Sequence, residues 1–397
     1  MRLPGRSWRG LGLVCWVLSI TQVACSREAK PAPAISAQDG AAAAPKSSSG
    51  ASFVDASVSV RDAGAAEVAG QPPAQVPLVR ERRELMSTIY EISVVSSDDS
   101  RARETIERAL TDIARLEREL SEWIPESDIS RINAAAGKTK VQVGPDTLAN
   151  VQAALDAAKR TGGAFDPTWA ALRPFYLFQP GEKKVPDVAA VRKQKHLVNY
   201  RDVVVDAAGS TVFLKRKGMA LGLGGIAKGW AVDRASAILI EAGFPNHMVF
   251  AGGQVLVRGL KGDRKWRVGI QHPRMAGYIG FIELTDASIA TAGDYEHSFI
   301  ADDGTHWHHI IDPETALPAR RSTSVTLVAP NGLIADALDT GCFVMGPEKC
   351  LKMLAEYPEP IEAVIIDDQL KLFATPGTRE KIVMRMAIDS EGRIPIP

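Results

Sequence analysis

The segment LGLGGIAKGWAVDRA, residues 221–235, follows a strand-like apolar run and concentrates glycines in a turn before a helical pattern. Glycines let backbone N–H groups approach an anion closely, because no Cβ intervenes. The helix N-terminus that follows favours negative charge, and Lys228 adds a positive charge there. The segment therefore indicates a phosphate-binding turn or, alternatively, a tight strand-to-helix turn with a solvated lysine. Its spacing is neither that of the P-loop nor G-x-G-x-x-G.

Residues 1–25 have the features of an export signal, with three arginines before a short apolar run. That run is too short to span a bilayer as a mature helix. Ala24 before Cys25 fits a lipoprotein signal, although Gln22 stands where an aliphatic residue is usual. We expect an exported protein at the periplasmic face of a bacterial membrane, anchored by a lipid on Cys25. Ordinary cleavage nearby, giving a soluble periplasmic protein, is the alternative.

Residues 26–80 are rich in Ala, Ser, Pro and Gly, and Phe53 is their only aromatic residue. Such a segment cannot bury enough apolar surface to offset its ordering entropy, so we expect a disordered tether. The remaining residues, 83–397, are long enough for one large or two small domains. Lysine plus arginine equals aspartate plus glutamate, 47 each, so no nucleic-acid partner is expected.

Strand-like and helix-like segments interleave without a regular βαβ period, which predicts an α+β fold with a mixed sheet. Amphipathic or capped patterns predict helices over residues 99–120, 145–160, 227–242, 333–345 and 347–356. Alternating or short apolar runs predict strands at residues 86–96 and at RDVVVD, TVFLKR, HMVFAG, WRVGIQ, FIELT, HWHHIID, SVTLVAP and EAVIID. Cys342 and Cys350 lie on a helix-like stretch and its continuation, so free or buried thiols are expected, without a disulfide.

Four of the seven histidines lie between residues 297 and 309. Zinc is disfavoured because no cysteine lies near, and because we expect a strand to turn His308 away from His306 and His309. One histidine acting as an acid, a base or a phosphate ligand is favoured, since histidine titrates near neutral pH. A simple hydrogen-bonded strand histidine is the alternative for His306 and His308.

Asp336 and Thr340 are four residues apart in a helical pattern, so their side-chain oxygens share one face. A carboxylate and a hydroxyl form a partial shell for Mg²⁺, which takes oxygen ligands and leaves room for water and phosphate. Alternatively, Thr340 bonds its own helix backbone and Asp336 complements the helix start.

The order of the motifs is more specific than any one of them. Between residue 86 and the C-terminus their succession resembles the FAD:protein FMN transferase (ApbE) family. The motifs are MSTIY, SEWIPESDISRIN, GGAFDPTWAAL, LGLGGIAKGWAVDRA, FAGGQ, WRVGIQHP, IATAGDYEH, HHIIDPETALPA and ADALDTGCFVMG.

The resemblance implies an α+β, T-fold-like domain that binds FAD with Mg²⁺. Such an enzyme transfers FMN to a Thr or Ser hydroxyl of an acceptor redox protein that carries a flavinylation motif, and releases AMP. A Mg²⁺-dependent FAD pyrophosphatase and a flavin-binding lipoprotein without enzymatic activity are the alternatives, and nothing in the sequence names the acceptor.

The same resemblance implies roles for particular residues. The Mg²⁺ ligands would be Asp336, Thr340 and the carbonyl of Ala227, with Lys228 beside the pyrophosphate. His309 would handle the proton of the acceptor hydroxyl, with Asp294 as the second candidate. The residues expected to line the FAD pocket or the reacting phosphate are Met86, Trp123, Asp166, Gly252, Gly253 and Thr291.

Several positions depart from the usual family pattern. Gly222 stands where Asp is common, and Gln254 replaces an acidic residue or Asn after the double glycine. Ala292 replaces a Ser, Ala316 replaces the Gly of the D-P-x-T-G turn, and residues 175–178 lack a Trp. We expect the change at Gln254 to matter most, because it removes a charge near the flavin pocket.

Overall fold

A computed structural model describes residues 77–176, 178 and 183–395. The predicted export signal, almost all of the predicted tether and Cys25 lie outside these residues. Among the helices of the described segments, none has both the length and the apolar character needed to cross a bilayer.

The strands are numbered in chain order. They are β1 Leu78–Leu85, β2 Thr88–Val95, β3 Val141–Gln142, β4 Val203–Asp206, β5 Thr211–Leu214, β6 His247–Ala251, β7 Gln254–Arg258, β8 Trp266–Gln271, β9 Tyr278–Leu284, β10 Ala287–Gly293, β11 Ser298–Ile300, β12 His306–His308, β13 Ile311–Asp312, β14 Leu317–Pro318, β15 Ser322–Ala329, β16 Glu362–Asp367, β17 Leu372–Ala374 and β18 Ile382–Met384.

The main sheet has eight strands in the order β1-β2-β6-β7-β10-β15-β16-β17. Its neighbouring strands pair antiparallel throughout, so the predicted α+β class is confirmed while the sheet is not mixed. Short turns, which can only join antiparallel strands, account for the pairs β1–β2, β6–β7 and β16–β17. Met86 and Ser87 both have positive φ in the β1–β2 turn, as a two-residue hairpin loop of the matching twist requires.

Strand β1 begins at Leu78, so the folded unit starts before residue 83 and includes the end of the predicted tether. The sequence LVRERREL does not predict this strand, because it lacks an apolar alternation. Its charged side chains are tolerated because β1 lies at the edge of the sheet, where few of them are buried. Charged edge strands are one way that proteins prevent further strand pairing. Strand β10 was also not predicted as a strand, because its small residues give no apolar alternation.

The helices are α1 Asp99–Leu120, α2 Asp128–Ala134, α3 Pro145–Arg160, α4 Val188–Gln194, α5 Ala227–Glu241, α6 Gly332–Met345, α7 Pro347–Ala355 and α8 Pro376–Lys381. Shorter 3₁₀ turns cover Pro167–Phe175, Lys195–Leu197 and Tyr200–Asp202. The five predicted helices correspond to α1, α3, α5, α6 and α7, and each is confirmed within one residue at both ends. The shorter α2, α4 and α8 were not predicted.

Helix α1 shows why the prediction succeeded. Asp98 caps its first turn by accepting a hydrogen bond from the Arg101 amide at 3.1 Å. Ile106, Leu110 and Ile113 recur at helical spacing and are fully buried, or nearly so, against the rest of the core. Each buried aliphatic side chain contributes roughly 1.5–3 kcal/mol relative to exposure, so this stripe fixes which face meets the core.

Helices α5 and α6 cross at two glycines and pack on the main sheet. A Cβ on Gly229 would overlap the carbonyl oxygen of Gly332 and lie 2.8 Å from the Cβ of Asp336. A Cβ on Gly332 would overlap the carbonyl of Gly229 in turn. The Asp233 carboxylate on α5 accepts hydrogen bonds from the amides of Gly332 and Leu333, at 2.7 and 2.9 Å. The start of α6 is therefore held against α5 by backbone contact and by a carboxylate.

The expectation of unpaired thiols is wrong, because Cys342 and Cys350 form a disulfide. A continuous helix would separate residues eight apart by about 12 Å. Gly346, with φ of +81°, ends α6, and Pro347 begins α7, so the chain changes direction between the cysteines. Their Cα atoms come within 4.8 Å, and the bridge ties α6 to α7.

Replacing Gly229 with Ala should lower the free energy of unfolding by about 2 kcal/mol or more, because the new methyl group forces the helices apart. Gly224→Ala is the matched control, since a Cβ there meets no atom within 4 Å. Urea denaturation of both variants gives the comparison. Equal stability of the two variants would show that the crossing is not as tight as described.

Candidate active site

The glycine turn that precedes α5 places Lys228 in the first turn of that helix. The N-cap residue of this helix, Ile226, makes no side-chain hydrogen bond. The Ala227 amide donates to the Leu223 carbonyl at 2.9 Å, and the Gly229 amide donates to Asp336 on α6. The Lys228 ammonium donates a hydrogen bond to the Gly224 carbonyl at 2.8 Å and lies 3.6 Å from Asp336 Oδ1. A lysine folded back over a helix N-terminus makes a site that favours an anion.

Asp336 joins this site from the second turn of α6. Its side chain is buried, and its Oδ2 accepts a hydrogen bond from the Gly229 amide at 2.8 Å. The structure thus brings Ala227, Lys228 and Asp336 together, as the sequence predicted, and Thr340 follows Asp336 by one turn. A Cβ on Gly225 would lie 3.4 Å from the Thr340 hydroxyl, so the glycine turn contacts both helices.

Asp339 lies between Asp336 and Thr340 on α6, and the sequence analysis did not single it out. It is only 4% exposed, and its Oδ1 accepts a hydrogen bond from the Thr340 hydroxyl at 3.1 Å. Burial, reinforced by the charge of Asp336, raises the pKa of Asp339 well above its ordinary value. Its position three residues after Asp336 was the signal available, because residues i and i+3 of a helix are neighbours.

His309 lies in a break between β12 and β13, where the sequence predicted one continuous strand. Its Nδ1 is 3.1 Å from the Glu296 carbonyl, and its ring packs edge-on against His297. A carbonyl only accepts, so Nδ1 carries the proton and Nε2 has a free lone pair. Burial, with contributions from His297, His308 and Lys228, lowers the pKa of His309 to about 3. The imidazole is therefore neutral, and Lys228 is close enough to influence it.

The rings of His306 and His308 lie 5.4 Å apart, so the expectation that His308 points away from His306 is wrong. Alternate residues of a strand share a face. His308 Nε2 donates to the Ala319 carbonyl at 2.8 Å, which is the hydrogen-bonded strand histidine considered as an alternative.

Asp294 forms a two-pronged ion pair with Arg274, at 2.6 and 2.7 Å. His306 Nδ1 lies 3.7 Å from the same carboxylate. Both carboxylate oxygens are thus engaged, which leaves Asp294 better placed to hold Arg274 than to accept a proton from a substrate. Of the two candidates for proton handling, the geometry favours His309.

Gly252, Gly253 and Thr291 lie together where β7 meets β10. Gly252 has a φ of +60° in the β6–β7 turn, a conformation that glycine adopts without strain. The Thr291 amide donates to the Gly253 carbonyl at 3.0 Å, and a Cβ on Gly253 would lie 2.8 Å from the Thr291 carbonyl. A Cβ on Gly252 would likewise lie 2.7 Å from the Thr88 hydroxyl, so both glycines permit close packing within the protein.

Met86 lies in the β1–β2 turn, and it contacts Glu117 of α1 and Tyr90 of β2. The Met86 amide donates to Glu117 at 2.8 Å, and the Tyr90 hydroxyl lies 3.2 Å from the Met86 sulfur. Burial raises the pKa of Tyr90, and the charge of Asp336 adds to this effect.

Trp123 is 72% exposed, and the Arg173 guanidinium lies 4.3 Å from the centre of its ring. Glu122 forms an ion pair with Arg173 and holds it there. A Cβ on Gly222 would overlap the Glu122 carboxylate, which is the movable end of its side chain, and would lie 3.0 Å from the Cβ of Ala170. An exposed, oriented indole is suited to stacking on a planar ring.

Asp166 is buried, and its hydrogen bonds are made within the chain. Its carboxylate accepts from the Thr168 amide and hydroxyl and from the Tyr200 amide, at 2.6–2.9 Å. Burial raises the pKa of this group. The residue borders a cleft of about 460 Å³, whose lining includes Tyr200, Arg321 and Lys349. No contact links Asp166 directly to Lys228 or Asp336 within the described segments, although its neighbour Phe165 packs near Gly225.

Two of the departures from the family pattern have local explanations. Gln254 is buried and donates to the Ser288 hydroxyl at 2.8 Å, so its amide completes a contact inside the sheet. Ala316 has a φ of +60°, which costs a non-glycine residue roughly 1–2 kcal/mol. Its buried methyl group recovers about 0.8 kcal/mol by packing with Tyr176 and its neighbours.

Comparison with known proteins identifies the family. The sequence profile of the ApbE family matches residues 86–365. The chain belongs to the ApbE family. It is 33% identical over 294 residues to the FAD:protein FMN transferase of Treponema pallidum, covering 70% of this chain and 81% of that protein. The predicted family and the predicted enzymatic character are confirmed.

Solved structures of the family agree with this fold. The ApbE protein of Thermotoga maritima superposes with a TM-score of 0.71 at 31% identity, covering 77% of this chain and 99% of that one. The flavin transferase ApbE of Vibrio cholerae superposes with a TM-score of 0.68 at 28% identity, covering 77% of this chain and all of that one.

The buried histidines predict a loss of stability in acid. Burial lowers the pKa of His308 to about 4, from an ordinary 6.5. Between these values the unfolded chain binds a proton that the folded chain does not, so stability falls as pH falls from 6.5 towards 4. We expect His308 to lower the free energy of unfolding by about 2 kcal/mol when the pH falls from 7 to 5.

Urea denaturation of His308→Gln at both pH values should therefore show a smaller difference in unfolding free energy than the original chain. His196→Gln, at an exposed position, is the control and should keep the full difference. An unchanged pH dependence in His308→Gln would contradict the assignment of the acid loss to this residue.

Proposed function

We propose that this chain is a Mg²⁺-dependent flavin transferase, which moves FMN from FAD to a Ser or Thr hydroxyl of an acceptor protein and releases AMP. The observation that carries the proposal is the meeting of Lys228, Asp336 and Thr340 at the N-terminus of α5. Membership of the ApbE family supplies the donor and the transferred group, through the name that its relatives bear.

The residues at the α5–α6 crossing fit Mg²⁺. Asp336, the Thr340 hydroxyl and the Ala227 carbonyl are hard oxygen donors, which this ion prefers. In the part of the chain that the structure describes, no group of three His, Cys, Asp or Glu side chains is placed to hold a metal. A hydroxyl, a carbonyl, water and phosphate oxygens would therefore have to complete the shell. When bound, Mg²⁺ neutralises charge on the pyrophosphate.

The chain's own residues account for binding and proton transfer. Lys228 binds the pyrophosphate of FAD at the start of α5, where the helix dipole adds positive potential. The acceptor hydroxyl oxygen attacks the phosphorus of the FMN half, and the bond from that phosphorus to the bridging oxygen breaks. AMP leaves with the bridging oxygen. His309 takes the hydroxyl proton on Nε2, the nitrogen with the free lone pair.

The planar parts of FAD have a matching surface. The exposed indole of Trp123 offers a stacking face for one of them. Positioning and charge neutralisation supply most of the catalysis of phosphoryl transfer, so these contacts are as important as the proton acceptor.

Export and attachment through a lipid on Cys25 remain part of the proposal, and these residues lie outside the described segments. An anchored enzyme on a long tether would reach acceptor proteins at the same membrane face. The acceptor is a redox protein with a Ser or Thr flavinylation motif.

The deciding experiment incubates the protein with FAD, Mg²⁺ and an acceptor protein, and measures the intact mass of the acceptor together with AMP release. A mass gain of one FMN, absent in Asp336→Ala, is the expected result. AMP release without modification of the acceptor would instead favour an FAD pyrophosphatase or show that the protein offered is not the acceptor. FAD binding without AMP release would identify a flavin-storage protein.

Replacing His309 with Ala should reduce transfer by roughly 10²–10⁴-fold while FAD still binds, because only proton handling is lost. Acceptor mass after timed incubation measures the rate, and flavin fluorescence measures binding. His196→Ala, at an exposed position remote in sequence from every motif, should transfer normally. Normal turnover in His309→Ala would remove this residue from the mechanism.

A further inference from the structure

Asp339 is a buried carboxylate for which the proposed mechanism has no use. It is 4% exposed, and the one side chain that donates a hydrogen bond to it is Thr340. Within the described residues, no Lys, Arg or His nitrogen forms an ion pair with it. A carboxylate removed from water is costly unless it is paired or coordinates a metal.

Asp336, in contrast, is well compensated. It accepts the Gly229 amide and lies 3.6 Å from the Lys228 ammonium. Two carboxylates of α6 therefore share a buried region with a single lysine, whose ammonium lies beside Asp336 and whose charge also acts on Asp339. The region lacks one positive charge, and a divalent cation would supply it.

We propose that Asp339 is a further ligand of the Mg²⁺ in this enzyme, so that α6 contributes Asp336, Asp339 and Thr340 to one ion. The proposal rests on the metal dependence proposed above. Its consequence is the order of binding. One carboxylate holds Mg²⁺ weakly until substrate phosphates join it, whereas two carboxylates and a hydroxyl hold the ion before FAD arrives.

A purely structural role makes a different prediction. If Asp339 is simply a protonated acid buried in the helix layer, Asn has the same shape and keeps the same contacts. Metal binding in Asp339→Asn would then equal that of the original chain. If Asp339 is a ligand, Asn loses the charge that the ion needs, while the metal-free protein remains folded.

The test titrates the FAD-free protein with Mn²⁺, a substitute for Mg²⁺ whose free form is measured by electron paramagnetic resonance. We expect one site in the original chain and about ten-fold weaker binding in Asp339→Asn. Asp312→Asn is the matched control, because Asp312 is a buried aspartate on β13, outside α6, and should bind as the original chain does.

Thermal unfolding provides the second measurement. Mg²⁺ should raise the Tm of the original chain and of Asp312→Asn, but much less that of Asp339→Asn. Unweakened Mn²⁺ binding in Asp339→Asn, with binding lost in Asp336→Asn, would overturn this inference and leave the transferase proposal intact. Unweakened binding in both variants, with transfer that needs no Mg²⁺, would overturn both.

Discussion

The contact of Gly229 with Gly332 is the constraint on which the site depends. The two backbones touch where α5 crosses α6, and any side chain at either position would separate the helices. This close approach lets the Gly229 amide reach Asp336, and it brings Lys228 within 3.6 Å of the same carboxylate. Residues more than one hundred positions apart in sequence thus form one site because two glycines have no side chains.

The electrostatics of the site follow from this crossing. The start of α5 and a lysine provide positive potential, while Asp336 and, once a cation is bound, Asp339 provide negative charge. The positive groups alone would not hold a pyrophosphate, because the two carboxylates of α6 would repel the anion. A divalent cation between the carboxylates and the anion makes the arrangement consistent, which is why the donor set and the anion site have to be considered together.

The sequence predicted α1, α3, α5, α6 and α7 within one residue at each end, because amphipathic spacing and capping residues are local signals, but it missed the shorter α2, α4 and α8. The grouping of Lys228 with Asp336 and Thr340 came from the family resemblance, and the structure places Lys228 beside Asp336. It did not reveal the disulfide, since only the reversal at Gly346 and Pro347 brings Cys342 to Cys350. Strand β1 was not predicted, because its charged residues show no apolar alternation. The antiparallel pairing was not predicted either, because it depends on hairpins that residue propensities alone do not determine. Asp339 was visible in the sequence, but its burial depends on the packing of α6.

The environment of His309 connects binding to proton transfer. Burial and neighbouring positive groups, Lys228 among them, hold its pKa at about 3, so the imidazole alone is a weak base. A pyrophosphate bound at Lys228 would bring negative charge into the same region and make Nε2 more basic. The proton acceptor of the proposed reaction would then become effective only with substrate in place. Coupling of this kind ties the basicity of His309 to the presence of bound FAD, whichever hydroxyl attacks the phosphorus.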